Sequence, residues 1–264
     1  VSDYQELVAE TDTHRLTLLP MEDTDGCDPR HDTDCNLGVM WVKYRDHTLG
    51  DEQYHWRTRT TTAPPEHEDL TDFIRQVEDF MPSLSALNEA IVKHLVRKHG
   101  ATAVLPLYLL DHSGISISGG RDMVQDRDFR RRQGGRDHFA CDPGGWDTSY
   151  VGFIFDTART REVCGTPLDR VEECLADEVR TYNAYLTGDV WGYRIEERVQ
   201  RSGRTTTTET VVRPGAEPET STRTLNFDRE DWEVTDDCWG FVGHKWAAEA
   251  ARDAFSPYAT KEVA

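Results

Sequence analysis

The sequence predicts an α+β fold, with a mixed or mainly antiparallel sheet packed by several helices and a β-hairpin extension. Three observations carry that expectation. Strand-like and helix-like stretches alternate through the first two thirds of the chain, hairpin signals crowd the last third, and one long amphipathic helix is clearly punctuated. All 264 residues are read as one domain, 1–264, since no internal repeat or low-complexity run divides them.

The first strand is HRLTLLPME, from His14, which alternates weakly. An acidic, turn-rich loop, DTDGCDPRHDTDCNLG, separates it from a second strand, VMWVKYR. The loop is oxygen-rich enough for calcium but lacks the Gly and Glu spacing of an EF-hand, so a solvated loop is the plainer reading. TTTAPPEHED is a linker by composition. DLTDFIRQVEDFM then repeats apolar residues at helical spacing until Pro82, and SLSALNEAIVKHLVRKHG makes a further helix closing on Gly100.

The run AVLPLYLL is the most apolar strand, and its near-continuous hydrophobicity predicts cover on both faces. Pro106 favours the strand's start or a sheet edge. Residues 117–145 read as a surface insertion, with six Arg against three Asp between Arg121 and Arg136. Arg130, Arg131 and Arg132 form its densest part. They are candidates to clamp a phosphate or an acidic partner, or simply to pair with neighbouring acids.

GWDTSYVGFIFD is the next strand. The long helix follows, with Thr166 as cap, Pro167 in its first turn, Asp169 completing a capping box, and Gly188 as its end. Its stripe is Leu168, Val171, Leu175, Val179, Tyr182 and Leu186. Glu178 lies on or beside that stripe, where a carboxylate needs a partner. VWGYRIEERVQ and TTTTETVVR predict a hairpin turning at Ser202-Gly203, part of an extension over 196–225. Strands near STRTLNF and WEVTD and a closing helix, HKWAAEAARDAF, complete the chain.

Composition narrows the function classes. Forty-nine acidic residues face 30 basic ones, a formal net charge of -19, and only five of the basic residues are lysine. Such a surface suits a salt-rich cytoplasm, where screening relieves self-repulsion, which points to a halophilic host. An ordinary acidic protein of a GC-rich genome is the other account. General binding to nucleic-acid backbone is disfavoured, because it needs cations to displace counterions. No stretch has the apolar length of a membrane span. VSDYQELVAETDTHR lacks the basic start and apolar core of a secretory signal, so a cytoplasmic location is expected. The six cysteines form no CxxC pair, and no zinc or redox motif is legible.

Four short pieces share a pattern: DHSG, GWD, TGDVWGY and DDCWG each place a carboxylate beside Gly, Trp or both at a strand end. If these ends converge, Asp111, His112, Asp147 and Asp237 line one pocket. Ser113, Trp146, Glu178, Tyr182 and Trp239 would contribute to binding there. Asp111, His112 and Asp147 have the residue types to hold a divalent metal for phosphate-ester hydrolysis, or to run metal-free acid–base chemistry. Their spacing matches no established metal motif, and Ser113 lacks a nucleophile elbow. The competing structural reading is a strand-ending turn with tryptophans packed as core.

These motifs resemble, in order, a family of hypothetical proteins from phages, prophages and plasmids. The segments are DPRHDTDCNLGVMWVKYRDHTLGDE, LPLYLLDHSGISIS, WDTSYVGFIFDTARTREVCG, ADEVRTYNAYLTGDVWGY and DDCWGFVG. The matching residues include Asp111, His112, Ser113, Gly114, Trp146, Asp147, Glu178, Tyr182, Tyr185, Gly188, Gly192, Cys238, Trp239 and Gly240. The chain departs from the pattern in its longer Arg-bearing loop and in Thr148, Ser149 and Tyr150, where members carry Ser, Gly and Gln.

The resemblance implies a setting rather than a reaction: a virus or mobile element, and a protein acting inside the infected cell. The expected function is an accessory protein binding a ligand or host macromolecule, with counter-defence as a role fitting that setting. The alternative is a metal-dependent hydrolase of phosphate esters or nucleotides.

Overall fold

In the computed structural model, residues 5–31, 36–42, 44–45, 49–55, 60–61, 72–73, 84–120, 123, 138–211, 217 and 219–259 are described. They form two sheets, and the chain groups into two compact units. The first comprises Val1–Glu22 with Trp191–Ala264, and the second Asp23–Val190. Each has its own sheet and its own apolar cluster, which is why contacts close separately within each.

The second unit carries β3 (Gly38–Val42), β4 (Glu52–His55), β5 (Thr60–Thr61), β6 (Val104–Asp111), β7 (Ile115–Gly119) and β8 (Thr148–Asp156). Their order is β5-β4-β3-β8-β6-β7, antiparallel throughout except for the β3–β4 pair. Helix α1 (Leu84–Lys98) covers one face, seating Ile91 and Leu95 against Val39, Trp41, Phe153 and Phe155. Helix α3 (Val171–Leu186) covers the other, seating Val171, Leu175, Val179 and Tyr182 against Met40, Leu107, Leu109 and Ile154. Alternating residues of β3 and β8 therefore feed two cores, as the period of a strand requires.

Several expectations change in detail. β6 alternates, with Leu105, Leu107 and Leu109 buried and Val104, Pro106 and Tyr108 half-buried, so only one of its faces is fully covered. It has strands on both sides, and Pro106 is tolerated because it lies just beyond Leu107–Gly119, the last pair with β7. The insertion begins after Gly119, since 117–119 are strand and Ile117 is core. Helix α3 starts at Val171, not at Pro167, and no side chain caps it. Leu168 is accordingly 70% exposed rather than part of the stripe. A short helix absent from the sequence reading, α2 (Ala158–Cys164), opens with a capping box made by Thr157 and Thr160. Most of the expected helix over DLTDFIRQVEDFM lies outside the described residues.

The close approach of β3 and β8 requires glycine at 152. A Cβ there would collide with the Trp41 carbonyl oxygen, and the β6–β8 register shifts beside it, between Leu107 and Tyr108.

The first unit contains β1 (Glu6–Glu10), β2 (His14–Pro20), β9 (Val190–Val211) and β10 (Glu219–Val242), ordered β1-β2-β9-β10. Helix α4 (His244–Ala259) packs Ala247, Ala248, Ala251 and Phe255 onto Leu16, Leu18, Tyr193 and Ile195. The hairpin predicted at Ser202-Gly203 is not there. β9 runs straight through both residues, and the two expected strands STRTLNF and WEVTD are one strand, so the extension exceeds 196–225. Gly203 serves a different end: the Phe227 ring lies against it from the opposite strand, in the space a side chain would fill. No helix among the described residues is long and apolar enough to cross a membrane.

Candidate functional site

In the second unit, DHSG is the turn of the β6–β7 hairpin. Asp111 pairs with Ile115, leaving His112, Ser113 and Gly114 as the loop, closed by the His112 N–H donating to the Gly114 carbonyl at 3.1 Å. Ser113 has φ of 60°, a left-handed conformation rare for residues other than Gly, Asn and Asp. GWD lies beside this turn because β8 neighbours β6. The Asp111 N–H donates to the Asp147 carbonyl at 3.1 Å, and His112 Nδ1 lies 3.1 Å from Asp147 Oδ2. Asp111, His112 and Asp147 are thus brought together, as expected.

Their carboxylates are already committed. Asp111 Oδ2 accepts from the Tyr44 hydroxyl at 2.8 Å and from Arg45 Nη1 at 2.7 Å. Burial and then the hydrogen bond to Asp111 push the Tyr44 phenol above its ordinary value. Among the described residues no group of three or more His, Cys, Asp or Glu could hold a metal ion. The metal set expected of Asp111, His112 and Asp147 therefore finds no geometric support. What remains is an Asp–His pair on an open surface.

The platform beneath it is Asp142, which the sequence reading did not single out. Its carboxylate accepts from the backbone N–H of Trp146 at 3.1 Å and of Asp147 at 3.0 Å, and from the Thr148 hydroxyl at 2.7 Å. Burial alone would raise its pKa. The Thr148 hydroxyl and the backbone donors outweigh burial and hold the carboxyl below the usual range. The Asp-Pro-Gly-Gly run beginning at Asp142 was the available signal, a turn sequence whose Asp bonds its own backbone.

A carboxyl lowered on folding stabilises the fold above its unfolded pKa, and that contribution is lost as pH falls through the folded value. Asp142→Ala is therefore expected to cost about 1–3 kcal/mol near neutrality. In urea denaturation the gap between wild type and variant should narrow in acid, and a gap independent of pH would contradict this role.

Trp146 projects from this platform with its ring against Gly144, and it is 87% exposed. The alternative of a packed core tryptophan is overturned, because its backbone is anchored while its ring stays in solvent. Ser113 lies on the same exposed corner.

Glu178 and Tyr182 do not join this corner. Glu178 accepts from the N–H groups of Leu37 at 2.6 Å and Gly38 at 3.0 Å, and Gly38 pairs with Asp156, the last residue of β8. Asp147 precedes the first residue of that strand, so the two sites are separated by roughly 27 Å of β-structure. The physical reason is that Glu178 lies midway along α3, over the end of the sheet where β3 begins and β8 ends.

Glu178 instead meets Arg30, a residue the sequence did not flag. Arg30 Nη1 donates to Glu178 Oε2 at 2.8 Å, while Nε and Nη2 donate to Asp51 at 2.7 and 2.5 Å and Nη2 also reaches the Gly38 carbonyl. Burial would lower the guanidinium's pKa, but the bonds and charges of Asp51 and Glu178 raise it overall. Burial pushes the Tyr182 phenol up to about 12, against the lowering effect of the Gly50 N–H, from which its oxygen accepts. A pocket of about 360 Å³ opens beside this network, between Pro29, Asn36, Cys174, Asp177 and Thr181. Its charged groups are spent on one another, which reads as structural reinforcement.

Asp237 and Trp239 belong to the first unit. There Trp239 Nε1 donates to Asp237 Oδ2 at 2.8 Å and the indole covers Gly192. Arg130, Arg131 and Arg132 lie outside the described residues, as do 32–35 of the acidic loop, where Asp28 is turned inward to accept the Arg30 N–H. No protein-family model matches the chain, and comparison with curated proteins and with solved structures gives no significant match.

Proposed function

We propose that this chain is an accessory binding protein of a virus or mobile element, acting in the host cytoplasm. It would engage a host macromolecule through the corner formed by Trp146, His112 and Asp147. The single observation that carries this reading is Trp146, a large apolar ring left 87% exposed on a turn whose backbone is anchored by Asp142. Exposed tryptophans on ordered backbone contribute strongly to binding and lose little entropy on contact. The resemblance of DHSG and GWD to mobile-element proteins supplies the setting, and the acidic, lysine-poor composition fits a salt-rich host. The hydrolase alternative has less behind it, since the Asp111 carboxylate is held by Tyr44 and Arg45 and that of Asp147 by His112.

The test compares wild type with Trp146→Ala in affinity capture from host-cell extract at matched salt. A partner retained by wild type should drop at least about tenfold in the variant, as expected for a central aromatic contact. Stability should stay within about 0.5 kcal/mol, because little is buried. Equal capture by both proteins would sink the reading.

A further inference from the structure

β9 and β10 continue well past the sheet that anchors them. The last β2–β9 pair is His14–Glu197, followed by one bond from the Arg198 N–H to the Thr13 carbonyl. Beyond it, residues 200–210 and 220–230 are exposed on both faces. Thr206 faces Thr224 and Thr210 faces Thr220, so this part is an ordered two-stranded ribbon. Such ribbons are marginal by themselves in water, and cross-strand threonine pairs add only a few tenths of a kcal/mol each. Among the described residues β10 pairs with β9 alone, so its outer edge offers unpaired backbone donors and acceptors along its length. The same strand exposes Leu225 and Phe227 on one face, at 50% and 40%.

We infer that the ribbon is a homodimerisation arm, in which β10 pairs edge to edge and antiparallel with β10 of a second copy, centred on Phe227. A two-fold axis through such a pair runs perpendicular to the sheet, so opposed residues share a face and the axis passes midway between the two copies of one residue. Four centres bring the middle of the ribbon together. Centring on 226 opposes Arg223 to Arg229 and centring on 228 opposes Asp228 to its own copy, each setting like charges face to face, while centring on 225 faces Arg223 with Phe227 and makes no ion pair. Centring on Phe227 opposes Arg223 to Asp231, sets Leu225 opposite Arg229, and places the two Phe227 residues opposite each other. Within residues 220 to 234 it opposes no like charges. β10 is thus charge-complementary to itself in this one register, which is what points to a second copy as the occupant. The contact would run about 55 Å and bury on the order of 1,000 Å², at the lower end of specific interfaces.

The test is sedimentation of the full-length protein over a concentration series, paired with disulfide trapping. Facing residues of antiparallel strands lie within disulfide reach. In a background with Cys141 and Cys238 changed to Ser, Phe227→Cys should give a covalent dimer on oxidation, whereas Thr206→Cys, on the inner strand, should not. Phe227→Glu should weaken the dimer about tenfold or more by placing two carboxylates at the axis, with the melting transition of the cores unchanged. A wild type that is monomeric throughout the series overturns the inference. So does a dimer that Phe227→Cys fails to cross-link, or one that Phe227→Glu leaves intact.

Discussion

Arg30→Ala is expected to destabilise the second unit by about 3–5 kcal/mol, the cost of removing one partner from a buried ion-pair network. The Arg30 side chain is 1% exposed and donates to Asp51, to Glu178 and to the Gly38 carbonyl. Those two carboxylates in turn hold the N–H groups of Leu37, Gly38 and Met40, so the network fixes the start of β3. Glu178→Gln should cost less, about 1–2 kcal/mol, because Arg30 keeps Asp51 and the amide oxygen still accepts. The two changes share partners, so the double variant should lose less than their sum.

The deficit also has a sign in pH. Burial pushes the Glu178 carboxyl above its ordinary value, against the pull of Arg30 and the two amides. A carboxyl raised on folding opposes the fold once pH exceeds its unfolded value, and fully so above the folded one. Without Arg30 that value rises further, so the deficit of Arg30→Ala should grow from acid toward neutral pH. Guanidinium denaturation at fixed salt measures it, and a loss below about 1 kcal/mol would reduce the network to the worth of a surface pair.

Asp156→Ala is the second large effect, about 3 kcal/mol or more. Asp156 is fully buried at the end of β8 and accepts from the Thr102 N–H and hydroxyl at 2.9 and 2.8 Å, from the Ala103 N–H at 2.7 Å, and from Arg161. It joins the approach to β6, the end of β8 and helix α2. Asp156→Asn should cost less than Ala, since its oxygen can serve the two backbone donors, although its amide would face the Arg161 guanidinium. Adding Arg161→Met should recover part of the Asp156→Ala loss, because an unpaired cation is then removed as well. If the double variant were no more stable than Asp156→Ala, the ion pair would not be the source of the cost.

Part of this molecule was legible residue by residue. β2, β3, β6, β8, α1 and α4 fall close to where period-two and period-3.6 patterns place them, because those patterns record which side of an element meets a core. Val171, Leu175, Val179 and Tyr182 are core as read, while Leu168 is not, because the helix begins after it. Asp111, His112 and Asp147 meet as proposed, carried by a hairpin turn and its neighbouring strand. Ser202-Gly203 misled because the dipeptide is a turn signal in isolation, whereas an aromatic ring across the strand gives the glycine a packing role.

By itself the sequence determined the α+β class, the alternating faces of the strands and the gathering of charged and aromatic residues at strand ends. Each follows from neighbours a few positions away. Only the tertiary structure decided that Glu178 answers to Arg30, 148 positions earlier, and that Asp147 and Glu178 occupy opposite ends of one strand. It alone assigned Asp142 and Asp156 their donors and left Trp146 in solvent. The reason is physical: an apolar face repeats with the period of its element, but a carboxylate's partner arrives from anywhere in the chain and leaves no period behind.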